Sequence, residues 1–512
     1  MKTSERAATS PGPATTPGGA SGASGRAPFL AGGQWTVGGG EGIRSVNPAT
    51  GEVTAEISTP SAAEVDAAVR SADAARRAPA WRDMLPHARA RLLSRVADAI
   101  DARADALARL QMLENGKVLA ECRAQVASAA ATFRYYAAVC ETVESSVTPA
   151  RGPYWSMTVH EPMGVVAAIT PWNSPLTMEA QKLAPALAGG NAVVLKPSEV
   201  TPSPALELGR ICAEVGIPPG VVSVLPGTGA DVGLRLVNHP LVRMVSFTGG
   251  TSTGRIIARL AAEKIMPVAL ELGGKSPHIV FADANAEAAV KQIVAGIFLS
   301  TGQSCIAGSR LFVQRAAYDR VMRLLAEAAR RLRVGLPDVP GSELGPLASF
   351  PHRERVEGFV DRARADGADV VLGGGRPDDA ALRAGAFYLP TILAGLDPRA
   401  SACQEEIFGP VLCVLPFDDE ADLVAQANDS VYGLASGIWT SDYQKAWRVA
   451  RALEAGTVWI NTYKQLSIST PFGGFKESGY AREKGIGGMR LYQQAKSLYW
   501  GMEAPLEGGP RS

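Results

Sequence analysis

Apolar residues recur along this chain with two different periods, and the change of period marks its parts. In the first part they return every three or four positions. Val65, Ala68, Val69 and Ala72 share one helical face, Leu92, Leu93, Val96 and Ile100 a second, and residues 119–139 carry a third such stripe. These helices are expected to pack against a core. Ahead of them, Asn47-Pro48-Ala49-Thr50-Gly51 predicts a turn between short strands.

From Gly164 onward short apolar runs alternate with helix-length segments. Runs at 165–169, 192–195, 221–224, 242–246 and 268–270 predict strands, and 176–187, 204–214, 231–237 and 253–262 predict the helices between them. Such alternation argues for an open parallel sheet with helices on both faces, which binds ligands at the carboxyl ends of its strands. A second series follows Lys275. Strands are expected at 277–281, 311–313, 370–372, 411–416 and 457–461, and helices at 286–300, 316–332, 353–366, 421–428 and 443–454. The fold class is therefore α/β, with two doubly wound open parallel-sheet domains. The strand-like 496–500 has no evident local partner and is expected to complete a sheet in another subunit.

The totals narrow the function. The chain has 512 residues and a formal net charge of +1, which suits several domains and argues against nucleic acid or a membrane surface as partner. No apolar stretch approaches the roughly 20 residues of a spanning helix. Six scattered cysteines form no CxxC pair and five scattered histidines show no ligand spacing, so neither a disulfide framework nor a metal site is expected, and a reducing cytoplasm is the default. Residues 1–27, rich in Pro, Gly, Ser, Thr and Ala, read as a disordered tail without the apolar core of a secretory signal.

Chemistry gathers in three turns. Gly302-Gln303-Ser304-Cys305-Ile306-Ala307-Gly308 sets one cysteine in a small, glycine-flanked loop between a helix and a strand, where neighbouring N–H groups are free to face a reacting oxygen. Leu270-Glu271-Leu272-Gly273-Gly274-Lys275 supplies a carboxylate, and Pro171-Trp172-Asn173-Ser174-Pro175 a side-chain amide. Together these offer a nucleophile, a base and an oxyanion donor. The dinucleotide fingerprint GxGxxG is absent after the 165–169 strand. Glycines appear instead in Phe247-Thr248-Gly249-Gly250-Thr251-Ser252-Thr253-Gly254, where a strand gives way to a helix whose N–H groups suit a pyrophosphate. Lys196-Pro197-Ser198-Glu199 adds a lysine and an acid suited to the adenosine ribose. Glu199 would repel a 2′-phosphate, which favours NAD while leaving NADP open.

The chain resembles the aldehyde dehydrogenase superfamily from about Asn47 to Trp500. The stretches that carry the resemblance are PWNSP (171–175), GNAVVLKPSE (190–199), FTGGTSTG (247–254), LELGGKSP (270–277), GQSCIAGSR (302–310), EEIFGPV (405–411) and PFGGFKESGYAREKG (471–485). The resemblance implies a cofactor domain from 28–143 and 163–273, a catalytic domain from 274–485, and a bridging β-arm from 144–162 and 490–502 that builds homodimers or homotetramers. It assigns Cys305 as nucleophile, Glu271 as general base, Asn173 with the Cys305 N–H as oxyanion hole, and Lys182 as a lysine near the site.

For the cofactor the resemblance implies contacts from Ile169, Thr170, Pro171 and Trp172, from Lys196, Ser198 and Glu199, and from Gly229. Phe247, Thr248, Gly249, Gly250 and Gly254 join them, as do Leu272 and Gly273. Glu406 is implied to hold the nicotinamide ribose and Phe408 to lie beside the nicotinamide. The implied reaction is oxidation of a small-molecule aldehyde to its acid through a Cys305 thiohemiacetal and thioester. Tunnel positions carry over to Ser174, Met178, Gln181, Ser304, Ile306, Leu466 and Phe472. Ser174, Gln181 and Leu466 stand where several relatives place aromatic rings, so a caged quaternary ammonium aldehyde is disfavoured. Lys464, read as exposed near the tunnel mouth, is a candidate for attracting a carboxylate-bearing aldehyde. A CoA-acylating enzyme is the nearest rival; it would lack the base, and Glu271 is present. A phosphorylating dehydrogenase would pair its cysteine with a histidine, and none lies near Cys305 in sequence. A non-catalytic protein keeping the fold would tend to lose the nucleophile or the base.

Overall fold

The computed structural model describes residues 25–502; the predicted tail lies outside the described residues as far as 24. Its last residue is part of the fold. The Ala27 N–H donates to the Glu56 carbonyl at 2.8 Å, and the Ala27 carbonyl accepts from the Ser58 N–H at 3.0 Å.

The first sheet is built outward from Val165–Ile169, whose five residues are all buried because helices cover both faces. Ala192–Lys196 and then Val222–Val224 lie to one side, Val242–Thr248 and Val268–Glu271 to the other, and all of them pair in parallel. The chain winds outward in one direction and then restarts on the other side of its first strand. The crevice of such a sheet opens at that switch, between the loops after Val165–Ile169 and Val242–Thr248. Those loops are Pro171-Trp172-Asn173 and Gly249-Gly250. Each leads into a helix, Pro175–Ala188 and Thr251–Glu263.

The second sheet runs Asp369–Leu372, Thr391–Ala394, Val411–Phe417, Arg310–Gln314, Pro277–Val280, Ala435–Trp439, Thr457–Ile460. All pairs are parallel except the first. The first sheet also has antiparallel edges that periodicity does not reveal. Phe29–Ala31 pairs with Gln34–Thr36 and Val224 at one edge. At the other, Gly479–Tyr480 pairs with Glu271 and Leu270. The segment reaching 485, expected in the second unit, thus crosses back to the first, and Glu483 and Lys484, just after this strand, line the same cavity as Glu271.

The 496–500 strand departs from expectation. Gln493–Gly501 pairs along its whole length with Tyr154–Pro162 of the same chain, from Gln493 against Pro162 to Gly501 against Tyr154. The resemblance groups both segments in one arm, but periodicity hides the pairing because a mixed polar and aromatic run such as Tyr154–Pro162 has no clear alternation. Ser146–Thr148 completes the three-stranded arm, which leaves Trp155, Tyr499 and Trp500 exposed. Among the described residues no helix is long and apolar enough to cross a membrane.

Candidate active site

A cavity of about 690 Å³ opens at the carboxyl ends of the first sheet and is closed on its far side by the second. Pro171, Trp172, Asn173, Thr248, Gly249, Gly250, Glu271, Leu272 and Gly273 line it from the first unit. Ser304, Cys305, Ile306, Glu406 and Phe408 line it from the second.

The cysteine loop owes its shape to a helix that stops early. Ala286–Phe298 ends two residues short of the predicted 300, and Ser300, Thr301 and Gly302 all turn left-handed at φ 61°, 53° and 71°. Such angles cost a non-glycine residue about 1–2 kcal/mol each, so the neighbours must enforce them. The Glu121 carboxylate accepts the Ser300 N–H at 2.8 Å, and the Thr301 hydroxyl donates to the Gly345 carbonyl at 3.0 Å. A Cβ on Gly302 would fall 2.0 Å from the Gly409 carbonyl oxygen, so only glycine fits. Behind the loop, the Tyr463 hydroxyl donates to the Ile306 carbonyl at 3.0 Å and its ring stacks on His278 at 4.2 Å. Cys305 is half-buried, and its thiol is pushed up to about 12, first by burial and then by the charges of Glu406 and Glu271.

Asn173 donates one amide hydrogen to the Gln303 carbonyl at 3.0 Å, which ties it to the cysteine loop and leaves its second N–H unused. Glu271, 5% exposed, has no hydrogen-bond partner on either oxygen. Burial, and next the charge of Glu483, raise its pKa well above the carboxylate range. Lys182 does not line the cavity. It is fully buried behind it, where its ammonium donates to Glu483 at 2.8 Å and to the Ser246 hydroxyl at 3.0 Å. Glu483 and Lys484 do line the cavity. Both stand inside the 471–485 stretch, where residue type alone assigns neither of them a place in the cavity.

The cofactor positions fall into two groups. Pro171, Trp172, Thr248, Gly249, Gly250, Leu272, Gly273, Glu406 and Phe408 face the cavity. Ile169 and Thr170, Lys196, Ser198 and Glu199, Gly229, Phe247 and Gly254 do not. Lys196, the last residue of its strand, is 3% exposed, and its ammonium lies 3.6 Å from the half-exposed Glu199 carboxylate in the turn that follows. Ser198 accepts the Val200 N–H at 3.2 Å, Gly229 is exposed in the turn opening Gly229–Gly233, and Phe247 is buried in its strand. Gly254 packs closely, since a Cβ there would meet Leu272 at 2.6 Å.

These residues fit a dinucleotide. The hydroxyls of Thr170 and Thr248 are buried without partners. Gly249-Gly250 opens a 13-residue helix, whose N-terminus favours anionic phosphate. Glu406 is fixed by the Gly274 N–H at 3.0 Å, and a Cβ on Gly273 would fall 2.2 Å from its other oxygen.

On the substrate side, Ser174, Met178, Gln181, Ser304, Ile306, Leu466 and Phe472 all line the cavity, with Gln125 and Thr177 beside them. Lys464 does not. It is half-buried with a left-handed φ of 56°, and loss of hydration pushes its ammonium down to about 8, so the picture of an exposed lysine at the mouth is corrected. One histidine, His352, does reach the cavity from afar. Its Nε2 is tied to the Phe408 carbonyl at 2.8 Å, and burial lowers it to about 4.

A cysteine in a strained loop, an unbonded carboxylate and a tethered amide lie beside a sheet crevice opened by glycines, a setting that fits an oxidoreductase with a dinucleotide cofactor. The model described as aldehyde dehydrogenase family matches residues 35–498, and the chain belongs to that family. It is 41% identical over 467 residues to a (Z)-2-((N-methylformamido)methylene)-5-hydroxybutyrolactone dehydrogenase of Acinetobacter baylyi, covering 90% of this chain and 95% of that one. Among solved structures it resembles an NAD+ complex of aldehyde dehydrogenase from Bacillus cereus, with a TM-score of 0.91, 38% identity, and coverage of 93% of this chain and 97% of that one. It also resembles PnpE from Pseudomonas sp. WBC-3 in complex with nicotinamide adenine dinucleotide, with a TM-score of 0.91, 39% identity, and coverage of 94% and 99%.

Proposed function

We propose that the protein oxidises an aldehyde to its carboxylic acid with NAD, Cys305 being the nucleophile and Glu271 the base. The observation that carries this reading is the shared cavity: Cys305, Asn173 and Glu271 come from three distant segments and line one space. The Cys305 sulfur adds to the carbonyl carbon, and the resulting oxyanion takes hydrogen bonds from the free Asn173 amide hydrogen and the Cys305 N–H. Each such donor stabilises the transition state by about 3 kcal/mol. The chemistry NAD supplies when bound is acceptance of a hydride from the sulfur-linked carbon. Residues fitted to hold it are Glu406 and Phe408 at the nicotinamide end, Gly249-Gly250 at the pyrophosphate, and Lys196 with Glu199 at the adenosine ribose. Glu271 then takes a proton from the water that cleaves the thioester, and its raised pKa makes it a stronger base than a solvated carboxylate.

The finer assignments are that the enzyme works in the cytoplasm as a homodimer or homotetramer assembled through the arm, whose exposed Trp155, Tyr499 and Trp500 suit an interface. Light scattering measures that assembly directly. The chemical reading is tested by rapid mixing with NAD, NADP and a panel of aldehydes. Cys305→Ala should lose the burst of reduced cofactor entirely; a surviving burst would assign the nucleophile elsewhere.

A further inference from the structure

We infer that Ser174 reads the tail of the substrate: its hydroxyl donates into the cavity, and the aldehyde taken there is uncharged and carries an acceptor oxygen close to its reacting carbon. The inference rests on the reading of this cavity as the site of aldehyde oxidation.

The wall beside Asn173 is built from two helices packed on each other, Leu119–Thr142 and Pro175–Ala188. At helical spacing the first gives the cavity Gln125, Ser128 and Thr132, and the second gives Thr177, Met178 and Gln181. None of these side chains is charged. The charged groups of the cavity, Glu271, Glu406, Glu483, Arg355 and Lys484, stand on other elements. A carboxylate or an ammonium in the substrate's tail would lose hydration against the two helices and gain no ion pair from them. An uncharged oxygen would find hydrogen-bonding partners there.

The direction of those bonds is fixed by a backbone group. The Leu176 N–H, which can only donate, bonds the Gln111 Oε1 at 3.3 Å. That sets the Gln111 amide, 0% exposed and outside the cavity wall, with its Nε2 donating to the Gln125 Oε1 at 2.6 Å. The Gln125 Nε2 in turn donates to the Ser174 Oγ at 3.1 Å. Each amide is therefore locked in one orientation, and the relay ends on a hydroxyl that accepts from the protein and keeps its own hydrogen to give. A serine just ahead of a helix ordinarily spends its oxygen on the first N–H groups, but Ser174 makes no such cap. It is half-buried and lines the cavity next to Asn173, whose amide is tied to the cysteine loop through the Gln303 carbonyl at 3.0 Å. An oxygen that accepts from Ser174 thus lies near the carbon that meets Cys305. Gln111 touches no substrate and is a positioning residue, acting through Gln125 on the serine.

The test compares kcat/KM with NAD, in the full-length protein, for two isosteric pairs: methoxyacetaldehyde with butanal, and 3-methoxypropanal with pentanal. In each pair an ether oxygen, which can only accept, replaces a methylene. The protein should prefer the ether in at least one pair, and Ser174→Ala should lower that ether-to-alkyl ratio about tenfold. Ser174→Thr, which keeps the hydroxyl, should restore it. The intrinsic reactivity of each aldehyde cancels when the ratio is compared between variants. Gln111→Leu should lower the same ratio; a glutamine needed only for packing would depress both members of a pair alike, and an unmoved ratio there overturns the relay. A ratio that Ser174→Ala leaves unchanged in both pairs overturns the inference and leaves Cys305 and Glu271 in their roles. So does a higher kcat/KM for succinate semialdehyde than for either ether, which would assign the tail to Lys484. No reduction of NAD or NADP by the wild-type protein with any of these aldehydes overturns the reading of the site as well.

Discussion

Glu271 and Glu406 enter one cavity from different sheets, and they are held in opposite ways. Glu406 is bonded to the Gly274 N–H at 3.0 Å and crowded by Gly273, and burial lifts its pKa to about 7. Glu271 has no partner on either oxygen, and burial, then the charge of Glu483, raise its pKa well above the carboxylate range. Burial alone does not separate them; the Gly274 N–H on Glu406 and the charge of Glu483 acting on Glu271 do. A carboxylate that accepts a hydrogen bond from the main chain is fixed in place and held lower in pKa, which suits a group that positions something else. A carboxylate with no donor is free to take a proton, which suits a base.

The largest effect should come from the unbonded one. Glu271→Gln is expected to cut steady turnover by about 10³-fold while leaving the pre-steady burst, as measured by stopped-flow absorbance against steady-state rate. Full turnover in that variant would remove Glu271 from its role. Glu406→Gln should act on binding, raising the KM for NAD about tenfold with a smaller loss in kcat. Equal behaviour of the two variants would erase the contrast.

Two glycines sharpen the comparison without altering either acid. A Cβ on Gly273 would lie 2.2 Å from a Glu406 oxygen, and one on Gly473 would lie 2.7 Å from a Glu271 oxygen. Gly273→Ala should therefore resemble Glu406→Gln in its kinetics, and Gly473→Ala should resemble Glu271→Gln, each more weakly. The smallest effect is on stability. The Glu406 pKa rises from 4.5 to about 7 on folding, so between those values the folded state binds the extra proton. Its contribution is full below about pH 4.5 and is lost as pH rises through 7. Melting temperatures recorded from pH 5 to 8 should fall less steeply in Glu406→Gln than in the parent.

Much of this arrangement was readable along the chain because it is local. The parallel strands announce themselves as apolar runs, the loops at 247–254, 270–275 and 302–310 carry their glycines where close approach requires them, and the loop at 171–175 carries its two prolines. What stayed hidden comes from contacts between distant segments. Gly479–Tyr480 is a two-residue strand, too short for any periodicity, yet it brings Glu483 and Lys484 to Glu271. Lys182 bonds Glu483 across 301 positions. The Gln493–Gly501 strand was visible as a strand, but its pairing with Tyr154–Pro162 was not.

By itself, then, the order of residues determined which groups are present and the turns that present them, since side-chain type and backbone preference are properties of a few neighbours. The tertiary structure alone decided how acidic each group is and what it faces. Burial, the Gly274 N–H on Glu406, the unbonded oxygens of Glu271 and the Glu483 charge acting on it all depend on segments remote in sequence. Hydration and local charge are set by everything within reach in space, whatever its place along the chain.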